Sequence, residues 1–363
     1  MNRKKAIRTL LMEWYERCKR DLPWRHTTDP YSIWISEVIL QQTRVDQGKD
    51  YYLKFMDQFP DVRSLAKADE QDVLRLWQGL GYYTRARNVL KAARIIHERH
   101  HDLVPDTYDS LTALPGIGDY TASAILSIAF GQAFPVLDGN VSRVIARLMA
   151  VTDAVDSPDG HLQITSTARD LADGPAPGTF NQAIMEFGAL HCKPVRPDCN
   201  HCVLRPYCQA FKRNLAGEIP VRKPKANPRK RYLNYLVINA RYPAARIVLK
   251  KRTSRDVWMN MFDFPLIESD ALLSVDELIT LPVFRQWFPG RIPSIAEISE
   301  TDHHILSHQH LYVKYFLISI DDTADIRLQD SWVLAGHGQL KNFPLPRLIT
   351  RFLEKNLLLM GNK

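Results

Sequence analysis

The sequence predicts a mainly α-helical unit over residues 1–220, followed by a smaller α+β domain over residues 232–363. Three observations carry this. Apolar residues recur at helical spacing, with few β-branched alternations, as far as Ile219-Pro220. The run Val221–Arg231 (VRKPKANPRKR) then brings six basic residues, two prolines and no acid, the composition of a solvated basic linker. Beyond it the apolar period moves towards two over Tyr232–Ala240, Arg246–Lys251 and Tyr312–Ile320, with helical patterns at Ser274–Trp287 and Pro346–Leu358.

A chain of 363 residues with 45% hydrophobic content has room for two or three domains. No apolar run approaches the ~18 residues that a membrane span needs. Met1–Lys5 is basic but leads into no apolar stretch, so no secretory signal is expected. A formal charge of +8 and a pI near 9.2 favour a polyanionic partner. Four of the five cysteines crowd between residues 192 and 208, the pattern of a metal site in a reducing, cytoplasmic compartment rather than of a disulfide framework.

In chain order, Ala6–Arg20 is the first helix, and Cys18 within it reads as a buried, inert thiol. Asp29-Pro30 supplies an N-cap and a first-turn proline for a helix over Tyr31–Gln47. Asp69–Gln78 and Thr84–His100 follow, separated by Gly79-Leu80-Gly81-Tyr82-Tyr83. The stretch around which the chain is organised is Leu114–Asn140, with a helical hairpin over about 108–130. Pro115 ends one helix, Gly116 and Gly118 permit positive φ and bare their backbone N–H groups, and a new helix starts near Tyr120. Outward N–H groups at a helix N-terminus make an anion site suited to a phosphate. Val141–Val151, Gln163–Asp173 and Thr179–His191 complete the helical unit.

Two sets of residues carry chemistry. Cys192, Cys199, Cys202 and Cys208 form C-x6-C-x2-C-x5-C directly after a helix. Four soft thiolates suit zinc or an iron–sulfur cluster; zinc sites commonly arrive as two C-x2-C pairs, and only one is present. Lys193, Arg196 and Arg205 give the loop a basic outer face. The second set is a carboxylate pair. Glu37 shares a helix face with Ile33, Trp34 and Leu40, surroundings that raise a carboxyl pKa and leave a proton available near neutral pH. Asp138, before Gly139-Asn140, is an N-cap for the next helix and the second carboxylate that cleavage through an oxocarbenium-like state requires.

The runs WISEVILQQTRV (34–45), GLGYYTRARN (79–88), LPGIGDYTA (114–122), VLDGNVSRV (136–144) and NQAIMEFGALHC (181–192) resemble the MutY-type adenine DNA glycosylases, in the endonuclease III-like branch of the helix-hairpin-helix superfamily. The resemblance implies a [4Fe–4S] cluster on the four cysteines. It implies an enzyme that binds duplex DNA and removes adenine mispaired with 8-oxoguanine or guanine; a monomer is the default expectation. Glu37 would be the acid, Asp138 the partner of the sugar cation, and Tyr120 and Asn140 the residues that orient them. Tyr120 stands where endonuclease III carries its attacking lysine, so a hydrolase without strand cleavage is implied. Trp24, Arg25 and Gln182 would surround the flipped base. Gln42 and Tyr82 would fill the gap it leaves, and Thr43 and Leu80 would lie beside the lesion.

The last domain resembles the nudix-like, oxidised-guanine-reading domain of the same family. The metal-binding glutamates of the nucleotide-diphosphate hydrolases are missing from Ser274–Trp287, so no phosphatase activity is expected. Ser307 and His308 would contact 8-oxoguanine, with Leu306 in place of the family's usual aromatic. Two other readings share features with this one. An endonuclease III-like lyase is opposed by Tyr120 and by the second domain, and a non-catalytic iron–sulfur DNA-binding protein has no use for Glu37 together with Asp138.

Overall fold

The computed structural model describes residues 3–223, 227–242, 244–298, 301–306 and 308–361. The chain divides into two compact units. The first comprises residues 1–68 and 88–224; the second comprises 69–87 and 225–363. The second unit is therefore built from two separate stretches of sequence, a division that no local pattern around residues 69–87 announces.

In the first unit, α1 (Arg3–Cys18) packs on the helices that come last, and Leu11, Trp14, Ile145, Phe180 and Phe187 share one core. Cys18 is exposed, not buried, because the packed face of α1 ends at Tyr15. The side chain of Asp29 accepts from Ser32 N (2.7 Å) and caps α2 (Pro30–Leu40), whose residues from Tyr31 to Ile39 are all buried. The single helix expected over Tyr31–Gln47 is broken. The polar run Gln41–Arg44 carries the chain out of the interior, Gln42 takes φ +58°, and α3 (Val45–Gln58) starts afresh. The unit continues through α4 (Val62–Ala66); α5 (Glu70–Leu76) belongs to the second unit, and α6 (Thr84–Arg99) runs on from it.

The hairpin consists of α7 (Tyr108–Thr112), a turn, and α8 (Asp119–Ile128). Gly116 has φ +80°, and a Cβ there would lie 2.7 Å from the Cβ of Asn88. Both the dihedral and the close approach of α6 demand glycine. Gly118 departs from the expectation of positive φ: it is extended (φ −97°, ψ −177°) and caps α8. A Cβ there would meet nothing within 4 Å, so the missing side chain leaves open the N–H face at the start of α8. Next come α9 (Gly139–Met149), α10 (Pro158–Ala172), α11 (Pro177–Leu190) and the short α12 (Gln209–Lys212).

Among its described residues the second unit forms an eight-stranded sheet. Its strands are β1 (Arg229–Tyr242), β2 (Arg246–Lys251), β3 (Phe262–Asp263), β4 (Leu266–Ser269), β5 (Ser294–Glu297), β6 (Asp302–Ile305), β7 (Gln309–Asp322) and β8 (Trp332–Ala335). The long β1 and β7 run parallel at its centre, in a register that pairs Leu233 with Val313. On one face, α13 (Val275–Thr280) and α14 (Pro282–Trp287) bury Leu236, Ile238, Phe316 and Ile318; the helix expected over Ser274–Trp287 is split at Leu281-Pro282. On the other, Tyr235, Tyr315 and Phe264 pack with Phe352 of α15 (Arg347–Gly361). Residues 229–231, expected in the linker, begin β1, and Arg231 is tied down by Glu268 (2.7 Å) and Asp256 (3.4 Å). The stretch 69–87 joins this unit through Asn260, which donates to Glu70 (2.5 Å) and accepts from Gln71 (3.1 Å). Among the described residues no helix is long and apolar enough to cross a membrane.

Gly116→Ala is expected to destabilise the protein by about 2 kcal/mol, through left-handed strain and the clash with Asn88. Denaturant titration of the two proteins checks this.

Candidate active site

Glu37 projects from the buried middle of α2 and is only 7% exposed. The hydroxyl of Tyr120, in the first turn of α8, donates to its Oε2 at 2.6 Å. Burial pushes the Glu37 carboxyl up to about 7; the charge of Asp138 adds to this, while the Tyr120 hydrogen bond and the Arg25 guanidinium oppose it. Burial and the two carboxyls raise the Tyr120 phenol well above its ordinary value, so it stays a donor. The result is a carboxyl that holds its proton near neutrality and is oriented by a fixed hydroxyl.

Asp138 enters the same cavity from the start of α9. One of its carboxylate oxygens caps α9 by accepting from Val141 N (2.6 Å), and the other accepts from Asn140 Nδ2 (2.7 Å). Asn140 is held in turn by Arg143, which donates to its Oδ1 (2.9 Å) and to the backbone oxygen of Gly188 (2.7 Å). Gly188 has to lack a side chain, since a Cβ there would lie 2.7 Å from that of Asn140. Burial raises the Asp138 pKa against the hydrogen bonds from Val141 and Asn140.

The cavity encloses about 180 Å³, and Trp24, Arg25, Thr43 and Gln182 also line it. Sequence reasoning missed several residues here. Glu186, 1% exposed, lies beneath the wall and takes paired hydrogen bonds from Arg20 (2.8 and 2.6 Å) and Arg25 (2.9 and 2.8 Å). Burial would raise its pKa, but the two guanidinium groups outweigh burial and hold it down to about 2. Tyr15 donates to Gln182 Oε1 (2.6 Å), fixing that amide. Met185 and Ser36 line the cavity as well. Glu186 carried a readable signal, an acid flanked by Met185 and Phe187 on an apolar helix.

The remaining candidate residues fall in other places. Gln42 is exposed at the corner between α2 and α3. Gly116 and Gly118 form the hairpin turn. Within the second unit, Leu80, Tyr82 and His308 line one cavity of about 300 Å³ with Trp258, Ile305 and Leu306. Tyr82 is 44% exposed and has φ +49°. Ser307 lies outside the described residues.

The four cysteines of residues 192–208 are half-buried beside α9 and α12. Arg147 of α9 fixes the start of the loop, donating to the backbone oxygens of Lys193 (2.7 Å) and Pro194 (3.1 Å) and to Cys192 Sγ (3.4 Å). Burial and the neighbouring sulfurs raise the thiols of Cys199, Cys202 and Cys208, Cys202 to about 12. Among the described residues no three metal-ligating side chains converge tightly enough to hold an ion as they stand. The donor chemistry nonetheless fits a cationic, sulfur-seeking group, which would offset the charge repulsion among four gathered thiolates.

The family described as HhH-GPD superfamily base excision DNA repair protein matches residues 35–165, which include Glu37, the hairpin and Asp138. An adenine DNA glycosylase of Buchnera aphidicola (subsp. Baizongia pistaciae) is 31% identical over 351 residues, covering 95% of both chains. The chain belongs to the adenine DNA glycosylase family. With that family it takes its place among the glycosylase enzymes of base-excision DNA repair. The adenine DNA glycosylase of Mus musculus is 38% identical over 270 residues, and the match spans 72% of this chain but about half (51%) of that longer protein. A solved thermostable thymine-DNA glycosylase aligns with 58% of this chain and 97% of its own, at TM-score 0.54 and 28% identity.

The elevated Glu37 pKa has a consequence for stability. The folded state keeps this proton while the unfolded chain releases it near the ordinary value of 4.5, so stability falls as pH rises between 4.5 and about 7. Glu37→Gln is expected to be more stable than the wild type by about 3 kcal/mol at about pH 8, with the gap closing below about pH 4.5. Denaturant unfolding across pH measures it.

Proposed function

We propose that this enzyme hydrolyses the N-glycosidic bond of adenine mispaired with 8-oxoguanine or guanine, as a monofunctional glycosylase acting alone on duplex DNA in the cytoplasm. The observation that carries the reading is the pair of carboxyls in one cavity, Glu37 buried and Asp138 half-buried. Glu37 keeps its proton and is served by a tyrosine rather than by an amine. With the adenine extruded into the cavity, Glu37 gives its proton to N7 and the C1′–N9 bond breaks. The pair of electrons leaves with the base, and Asp138 stabilises the oxocarbenium charge on the sugar. The Glu37 carboxylate then takes a proton from water, whose oxygen bonds to C1′. Tyr120 and Asn140 hold the two carboxyls in place. Trp24, Arg25 and Gln182 surround the base, and the Glu186 ion pairs keep Arg25 in position. Tyr120 has no nucleophilic nitrogen with which to form a Schiff base, so the DNA strand stays intact.

Around this centre, the Gly116–Gly118 turn binds phosphate. Gln42 and Tyr82, both held in left-handed conformations, support the stack vacated by the adenine. Thr43, Leu80, Ser307 and His308 read the opposite base; the common cavity of Leu80, Tyr82 and His308 supports this role. Cys192, Cys199, Cys202 and Cys208 would hold a [4Fe–4S] cluster. Bound there, the cluster fixes the loop that presents Lys193, Arg196 and Arg205, all exposed, to the DNA backbone.

Single-turnover incubation with a duplex carrying adenine opposite 8-oxoguanine is expected to release free adenine, with strand breaks only after alkali. Breaks without alkali would indicate a lyase. Glu37→Gln should cut release by at least about 10³-fold while duplex binding persists. Cys199→Ser should remove the yellow-brown absorbance of the purified protein and weaken DNA binding; retention of both would refute the cluster assignment.

A further inference from the structure

Among the described residues, the open end of the second unit's sheet bears a row of rings that stays partly exposed, Tyr232 and Tyr312 half-buried and His303 exposed. Along this face of β1 and β7, the Leu236–Phe316 and Ile238–Ile318 rows are buried under α13 and α14. The next row closes the core. Asn234 donates to Ser269 (2.8 Å) and accepts from Leu273 N (3.0 Å), while Lys314 donates to the oxygen of Leu273 (2.6 Å) and pairs with Glu297 (2.8 Å). Beyond that seal the register continues through Tyr232–Tyr312–His303 and then Lys230–His310–Ile305.

The three rings of the first open row are stacked across three strands. Tyr232 lies over Tyr312 at 5.1 Å and Tyr312 over His303 at 4.7 Å, with interplanar angles of 20° and 16°. His303 is exposed at the end of the stack, Ile305 is 64% exposed, and Lys230 is exposed beside them. None of these six residues is acidic, and the basic run Val221–Arg231 leads directly into the patch. These rings lie outside the core cluster formed under α13 and α14. With Lys230 beside them, they have the chemistry that takes up bases of a single nucleic-acid strand. A duplex, whose bases are already stacked on one another, offers such a row nothing to hold.

We propose that this face binds unpaired DNA bases, so that the protein favours duplexes joined to a single-stranded segment. A base continues the stack at His303, and its phosphates lie towards Lys230. The inference rests only on the protein's handling of DNA, not on which base it removes.

The test compares binding of the full chain to a blunt duplex and to the same duplex with an oligothymidine overhang of about ten nucleotides, on each strand and at each end in turn. The wild type is expected to prefer an overhang about tenfold, a gain that one or two stacked bases supply. His303→Ser and Tyr312→Ser should each abolish most of that preference while leaving blunt-duplex affinity and adenine release unchanged. The exposed position of His303 keeps the test informative even if the Tyr312 variant fails to fold. Equal affinity of the wild type for blunt and overhang duplexes, or a preference undiminished by His303→Ser, would overturn the proposal. Adenine release is read on the same duplexes, so its loss with the overhang preference intact would count against the glycosylase reading alone.

Discussion

The exclusion of water from the Glu37 carboxyl is the constraint on which the catalytic unit depends. An exposed glutamate would be ionised at neutral pH and have no proton to give. Removing it from water requires α2 to run through the interior with every residue from Tyr31 to Ile39 covered. Cover on all sides requires helices in front and behind, and α8, which supplies Tyr120, is one of them. The buried carboxyl lowers stability wherever it ionises. The unit offsets this with a core in which Leu11, Ile145, Phe180 and Phe187 are closely packed.

Asp138 illustrates how one side chain serves fold and chemistry together. Its role as the cap of α9 fixes its position, and the helix N-terminus favours its charge. Arg143 extends this support, since its guanidinium ties Asn140 to the backbone of α11. Arg147, one turn further along α9, fixes the cysteine loop. A single helix thus sets both the anionic side of the cavity and the start of the sulfur-rich segment.

Much of this was legible in the sequence where one residue's chemistry clashed with its neighbours. Glu37 stood out as an acid on an apolar face, and Asp29-Pro30 marked a helix start that the structure contains. Glu186 has the same signature, but its significance lies in Arg20 and Arg25, some 160 residues away in the chain, which no local pattern shows. The left-handed conformations of Gln42 and Tyr82 leave no mark in the sequence, since neither is the glycine that ordinarily signals such a backbone. Short strands such as β4 and β6 span too few residues to show a period. Cys18 followed the apolar spacing of α1 yet emerged at its exposed end.

The two-part composition of the second unit bears on how such a protein can be rearranged. Because residues 69–87 group with the carboxyl-terminal sheet, cutting the chain after the helical part would change the surroundings of that stretch. It would strand a loop-and-helix segment without Asn260 and Met259, the partners of Glu70, Gln71 and Arg87. The two stretches of sequence are thereby linked through three hydrogen bonds, whose partners a foreign counterpart of either would have to supply.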